Sequence, residues 1–179
     1  MSSVYNVKGY QHIDNFLPDD IFNNIQSLLM SHNSMQMPYF YRKGLTTDDD
    51  TEGFAFGNCL MNEEQIPDIN LFNEIALPII SRLPMQRLLR VKVNCYPRQT
   101  LRDSEQYPPS EFHSDFDFPH TTGILSINDC NGYTEFTNEH HILTKSEANK
   151  MMIFAGEEQH RSVGQSDTNL RVNININFI

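Results

Sequence analysis

A chain of 179 residues is long enough to bury a core of its own and falls within the usual range of one domain, so residues 1–179 are read as a single unit. Its 23 acidic and 13 basic side chains give a formal charge of −10, which repels phosphate backbones, makes nucleic acid an unlikely partner and favours a neutral or basic substrate. Cys59, Cys95 and Cys130 are an odd set without a CxxC pair, Met1 to Tyr10 lacks a basic region followed by an apolar run, and no segment nears the ~20 apolar residues of a membrane span; a soluble cytoplasmic protein is expected, with no disulfide framework, no cysteine zinc site and no membrane partner.

Between Phe16 and Met30, Leu17, Ile21, Ile25, Leu28 and Leu29 recur at helical spacing, while Pro18, Asp19 and Asp20 fill a first turn that tolerates them. The spacing predicts a helix over 18–31. Tyr39 to Asn58 reads as extended aromatic pieces around an acidic, turn-rich surface loop at Thr46–Gly53 that is suited to cover a site. Ile69 to Leu83 again has helical spacing, in Leu71, Phe72, Ile75, Ile79 and Leu83, and Pro78 is expected to kink or split that helix. From Leu88 the period shortens to extended segments at Leu88–Tyr96, Thr122–Ile127, Tyr133–Phe136, Lys150–Phe154, Gln159–Val163 and Leu170–Phe178, divided by Gly, Asn, Pro and Asp clusters. The fold class is therefore α+β, mainly β: an antiparallel sandwich or jelly roll, with residues 1–87 as helical support and lid segments and residues 88–179 as the jelly-roll core.

The last segment has all its apolar residues on one face, while Arg171 shares the other with Asn173, Asn175 and Asn177. Asparagine is a poor strand former. Such a face either meets solvent or lines a polar barrel interior that holds a charged ligand, and the second reading is the sharper one.

His113 and Asp115 are two residues apart, so an extended chain projects both to one side. An HxD triplet alone is weak evidence among seven histidines, but His160 follows 47 residues later and Arg171 lies beyond the turn signal Gly164-Gln165-Ser166-Asp167. Two imidazoles and a carboxylate can occupy one face of a ferrous ion and leave positions for oxygen and an organic co-substrate. The guanidinium fork of Arg171 suits the far carboxylate of a dicarboxylate such as 2-oxoglutarate. A simple hairpin about Gln165-Ser166 would set His160 opposite Arg171, whereas a jelly roll can pass the chain between sheets there; both arrangements stay open. His120, His140 and His141 have no further partner spacing and are assigned surface or supporting roles. A zinc site of two histidines and a carboxylate is the competing metal reading, but its usual HExxH helix is absent, so iron is preferred.

Ile13-Asp14-Asn15-Phe16-Leu17-Pro18 at the start, Asn94-Cys95-Tyr96-Pro97, the triplet His113-Ser114-Asp115, Gly132-Tyr133-Thr134-Glu135-Phe136, and Ile153-Phe154 through His160-Arg161-Ser162-Val163 to Arg171 form an ordered series. In that order they resemble the motifs of the 2-oxoglutarate and iron(II)-dependent oxygenase superfamily, especially its prolyl 4-hydroxylase-like branch, across most of the chain. The resemblance implies a double-stranded β-helix (cupin-like jelly roll). It also implies that His113, Asp115 and His160 ligate Fe(II), that Arg171 pairs with the distal carboxylate of 2-oxoglutarate, and that the Tyr96 hydroxyl hydrogen-bonds this co-substrate. Asn131 stands where the family has the first glycine of a Gly-Gly motif, Ser126 where some members have a second tyrosine, and the asparagine row is unusual.

The implied reaction is an oxygen-dependent hydroxylation of an unactivated C–H bond with release of succinate and carbon dioxide; Asp115 is retained, unlike in related halogenases. The expected substrate is a prolyl or other peptidyl side chain, with a free amino acid or small metabolite as the alternative. A nucleic-acid demethylase of this superfamily would show Arg-x-Asn-x-Thr-x-Arg at the final strand, which Asn175 and Asn177 break. The loop Pro97–Ser110 and the acidic tract Asp48-Asp49-Asp50-Glu52 are candidate lids. From a different class, a non-catalytic jelly-roll module would bind a small ligand and use its histidines structurally.

Overall fold

In the computed structural model, which describes residues 9–31, 37–44, 53–98, 110–137 and 143–179, the chain opens with a short strand, β1 (Gln11–Ile13). Asn15, at φ 51°, turns it into α1 (Asp19–Met30). Pro18 stands just before the helix, where its missing N–H is no loss, and Asp19 and Asp20 meet the positive end of the helix dipole. The helix buries Phe22, Ile25 and Leu29, the apolar stripe that the spacing predicts.

The second helical segment splits as its proline requires. In α2 (Ile69–Leu71) the Asp68 carboxylate accepts from the Asn70 and Leu71 amides at 2.9 and 3.1 Å. A π-helical turn, Phe72–Ala76, then leads into α3 (Leu77–Ile80). In an unbroken α-helix the Pro78 ring would meet the carbonyl of Glu74; widening the turn relieves that clash, and the Leu77 amide bonds five residues back to the Phe72 carbonyl.

The remaining strands are β2 (Phe40–Lys43), β3 (Phe54–Asn62), β4 (Leu88–Pro97), β5 (Thr121–Ser126), β6 (Cys130–Phe136), β7 (Leu143–Ser146), β8 (Lys150–Ala155), β9 (His160–Val163) and β10 (Leu170–Phe178). All named pairings are antiparallel. They form a seven-stranded sheet, β1-β8-β5-β10-β4-β3-β2, and a three-stranded sheet, β7-β6-β9. This is the mainly β double-stranded β-helix that the motif order implies. No hairpin joins β9 to β10: β9 pairs with β6, whereas β10 lies between β4 and β5, so the chain crosses between sheets at Gly164–Asn169. Strand β7 escapes a reading by alternation because Leu143-Thr144-Lys145-Ser146 has a single apolar residue; its pairing with β6 makes it a strand. The N-terminal half supplies strands β1, β2 and β3 to the major sheet as well as helices.

The main core lies outside the barrel. Val91, Val93 and Cys95 on β4, Val172, Ile174, Ile176 and Phe178 on β10, and Leu125, Met151 and Ile153 pack in one cluster with Phe22, Ile25 and Leu29 of α1 and with Leu71, Phe72, Ile75 and Ile79 of the split helix. At roughly 1.5–3 kcal/mol for each fully buried large aliphatic or aromatic side chain, this layer is where most of the burial energy resides. Alternation then turns Arg90, Lys92, Asn94 and Tyr96 on β4 to the opposite face, together with Arg171, Asn173, Asn175 and Asn177 on β10. Asn173 and Asn177 are buried, so that face lines the interior and does not meet solvent. A smaller apolar cluster of Ile124, Phe136, Met152 and Phe154 fills the part of the interior between β5, β6 and β8. Among the described residues no helix is long and apolar enough to cross a membrane.

Candidate metal centre

The segment carrying the HxD triplet is fixed to β9 by backbone pairing. The His113 and His160 amides each donate to the other's carbonyl at 3.0 Å, and Ser110 makes two further bonds to Ser162, each at 2.9 Å. This rung extends the minor sheet and places the two imidazole rings 4.6 Å apart, centre to centre. Asp115 comes over the same opening, and the ligating atoms of His113, Asp115 and His160 all lie within 4.8 Å of one another.

Both imidazoles are set up as ligands. His113 Nδ1 stands 3.2 Å from the Glu111 carbonyl and His160 Nδ1 stands 3.0 Å from the Glu158 carbonyl. A carbonyl only accepts, so each Nδ1 carries the proton and each Nε2 keeps its lone pair. Burial first, then the neighbouring His160, pushes His113 down to about 4; burial likewise lowers His160. Both rings are neutral at physiological pH.

Asp115 is held by four side chains, of which the Thr122 hydroxyl is the most distant, at 3.4 Å from Oδ2. Arg90 donates to its Oδ1 at 2.5 Å, and the Asn175 and Asn177 amides donate to Oδ2 at 3.1 and 2.9 Å. Burial opposes the charge, but Arg90, His160 and the two asparagines outweigh it and hold the carboxyl far below the usual range. Each carboxylate oxygen offers about two lone-pair sites, so the single donor on Oδ1 leaves one there for a metal. The donor set of two neutral imidazoles and one ionised carboxylate thus fits a divalent first-row ion. Arg90, Asn175 and Asn177 are residues of the candidate site that motif reading missed. Their signal was the alternation that puts both asparagines on the face of Arg171, and Asn177 in turn accepts from Arg90 at 3.0 Å.

Arg171 is only 2% exposed. It donates to the Ser162 hydroxyl at 2.8 Å, to the Val163 carbonyl at 3.3 Å and to the Thr134 hydroxyl at 3.3 Å, while its Nε has no partner among the described residues. Among the described residues no carboxylate pairs with it. A buried cation without a counter-ion costs several kcal/mol, on the order of the penalty for an uncompensated buried charge, and an arriving carboxylate would cancel that cost. Tyr96 stands opposite Arg171 on β4, its ring 5.7 Å from the guanidinium carbon, with Ser162 beside its hydroxyl. Burial raises the Tyr96 phenol, which stays protonated and able to donate. A cavity of about 270 Å³ is lined both by Tyr96, Thr134 and Ser162, which surround Arg171, and by His113, Asp115 and His160.

The turn before β10 also does more than its polar composition suggests. Gln165 is fully buried, and its Nε2 donates to the Tyr96 carbonyl at 2.8 Å. Asn131, in place of a glycine, binds this turn through its amide to Asp167 and its side chain to Ser166. Ser126 and Asn173 face each other across β5 and β10, and Asn173 accepts from Asn94 at 3.0 Å. His120 is buried, not on the surface, with Nδ1 2.8 Å from the Phe118 carbonyl. His140, His141, the acidic tract Asp48–Glu52 and residues 99–109 of the loop before the triplet lie outside the described residues.

No family model and no curated protein matches this chain. Solved structures do. A 2-oxoglutarate-Fe(II) oxygenase family oxidoreductase from Burkholderia pseudomallei superposes with a TM-score of 0.67 at 9% identity, covering 95% of this chain and 84% of that one. The chain has the fold of the 2-oxoglutarate and iron(II)-dependent oxygenases. A Pseudomonas putida prolyl-4-hydroxylase shares this oxygenase fold at a TM-score of 0.60 and 13% identity, covering 95% of this chain and 91% of the other. A Trichoplax adhaerens prolyl hydroxylase, solved with a hypoxia inducible factor peptide fragment, matches at 0.60 and 15% identity, over 96% of this chain and 83% of its own.

Proposed function

We propose that this protein is a 2-oxoglutarate- and O2-dependent Fe(II) dioxygenase that hydroxylates a prolyl or other peptidyl side chain, with residues 1–179 acting as one catalytic domain in the cytoplasm. The observation that carries the reading is the buried guanidinium of Arg171, which has no counter-ion among the described residues, in the same interior as the His113, Asp115 and His160 cluster. A dicarboxylate is the ligand that answers both ends of that arrangement. The peptidyl substrate draws its support from the prolyl hydroxylases that share the fold.

In this assignment His113 and His160 offer Nε2, Asp115 offers Oδ1, and Arg171 neutralises the distal carboxylate of 2-oxoglutarate. Tyr96 donates its hydroxyl to the co-substrate, while Ser162 and Thr134 keep the guanidinium aimed. Asn175, Asn177 and Arg90 hold Asp115 ionised and fix its rotamer, as outer partners of metal ligands generally do. When bound, Fe(II) with 2-oxoglutarate and O2 supplies the oxidation that releases succinate and CO2 and hydroxylates the substrate C–H bond.

The test is anaerobic titration of the Fe(II)-loaded protein with 2-oxoglutarate, following the weak visible charge-transfer band of a chelated 2-oxoacid. The band is expected in the native protein and lost at the same concentrations in Arg171→Ala, while His113→Ala and His160→Ala fail to retain iron. Bound iron without a band would refute the oxygenase reading and leave the ligand-binding module in its place.

A further inference from the structure

Lys92 takes no part in the assignment above, yet its side chain lies in the same interior. Alternation along β4 turns it inward between Arg90 and Asn94. It lines the cavity that also holds His113, Asp115 and His160, and it faces Asn175, whose amide donates to Asp115. Among the described residues its amine makes no hydrogen bond and no ion pair. Asp115 is the one carboxylate among the described residues of that lining, and its oxygens already accept from Arg90, Asn175 and Asn177. An amine in such a place is more stable neutral than charged. Burial, then the charges of Arg42 and Arg90, lower Lys92 to about 7, outweighing Asp115 and Cys59, which act the other way. A desolvated lysine beside other cations is a nucleophile near neutral pH, whereas an exposed one stays protonated up to about 10.4.

The oxygenase reading sets an electrophile beside that amine, because each turnover would release CO2 into the cavity that Lys92 lines. We propose that Lys92 is a site of reversible carbamylation, at which CO2 adds to the Nζ amine; this deepens the oxygenase reading above and rests on it for the source of the CO2. The Nζ lone pair bonds to the carbon of CO2, one C–O π pair moves onto its oxygen, and a proton leaves the nitrogen for solvent. Nothing is oxidised or reduced. A cavity of about 270 Å³ has room for a ligand of this size. The product is an anion beside Arg90, which lies on the same face of β4, so a neighbour that disfavours the ammonium favours the carbamate. The charge of this side chain then follows the CO2 that the reaction releases.

The test uses the full-length chain with Zn(II) in the metal centre, which keeps the spectrum diamagnetic, and isotopically labelled bicarbonate at about pH 7.5. Carbon NMR is expected to show a carbamate resonance that is lost in both Lys92→Met and Lys92→Arg. The terminal amine, with an ordinary pKa of about 7.7–8.0, gives a separate carbamate signal that persists in both variants and serves as the reference. Alkylation of the carbamate with a trialkyloxonium salt, followed by peptide mass analysis, is expected to locate the adduct on Lys92 in the native protein, with no substitution needed. Absence of the resonance, its survival in both variants, or an adduct trapped on a different lysine instead overturns the proposal. The anaerobic 2-oxoglutarate titration tells the two readings apart. The charge-transfer band without the carbamate overturns the carbamylation site alone, whereas the carbamate without the band upholds the site and refutes the oxygenase reading.

Discussion

Gly132 of β6 provides the sharpest test of how the Arg171 environment is built. A Cβ placed there would lie 2.9 Å from Arg171 Cδ, 3.2 Å from Gln165 Cβ and 3.2 Å from the Gln165 amide nitrogen. None of these atoms is a free end: Arg171 is anchored by Ser162, Thr134 and the Val163 carbonyl, and Gln165 is fully buried with its side chain bonded to Tyr96. Gly132→Ala therefore overpacks the site, at a cost of ~1–3 kcal/mol, and the least resistant response is displacement of the guanidinium. At roughly 2–4 °C per kcal/mol for a domain of this size, Tm falls by about 2–12 °C. The 2-oxoglutarate midpoint of the Fe(II) protein is expected to rise about ten-fold, since a charge-assisted pair loses strength quickly with misplacement. Gly123→Ala on β5 is the matched control. Its Cβ would meet the pliable Met151 sulfur at 3.3 Å and nothing else nearer than 3.9 Å. That change should cost less than ~1 kcal/mol and leave 2-oxoglutarate binding unaltered. Thermal unfolding and the anaerobic titration read both effects. If Gly132→Ala matched Gly123→Ala in both, the glycine would not be what makes room for Arg171.

Lys92→Met should stabilise the protein by roughly 1–2 kcal/mol at neutral pH, because burial, Arg42 and Arg90 push Lys92 down to about 7 and its charge is a cost to the fold. The unfolded chain binds the proton up to its ordinary pKa of about 10.4, so native stability rises between about pH 7 and pH 10 and the advantage of the variant fades across that window; urea midpoints that show no gap at neutral pH would count against it. With His113 lowered to about 4, protons compete poorly for its Nε2, so Co(II) affinity should stay nearly flat down to about pH 5, and a steep loss beginning at about pH 6.5 would contradict the buried, neutral ring. The same shift makes the metal-free fold lose stability as pH falls from about 6.5 towards 4, since the unfolded state takes up the proton first. Asn149, at φ 59°, donates to the Leu17 carbonyl at 2.8 Å and accepts from the Leu17 amide at 2.9 Å; Asn149→Ala should cost ~2–4 kcal/mol, and Asn149→Gly less, because glycine keeps the backbone conformation while losing the same bonds. Equal losses in the two variants would show that the left-handed backbone contributes nothing.

The strands from Leu88 onward except β7, the helix beginning near Pro18, and the polar face of Arg171, Asn173, Asn175 and Asn177 were legible in the chain, because alternation and helical spacing are properties of neighbours in sequence. The HxD triplet, the distal histidine and the arginine were legible for the same reason: each declares its side-chain chemistry locally. What no local pattern contained was who faces whom. That Asn175 and Asn177 reach Asp115, and that Arg90 closes the same carboxylate, depends on β10 lying between β4 and β5 in one sheet. The hairpin that would have set His160 opposite Arg171 was as consistent with the turn residues as the crossover that formed. Burial of the apolar face of β10 against the helices decided between them, because covering that face turns every second residue of the strand, Arg171 first, into the interior.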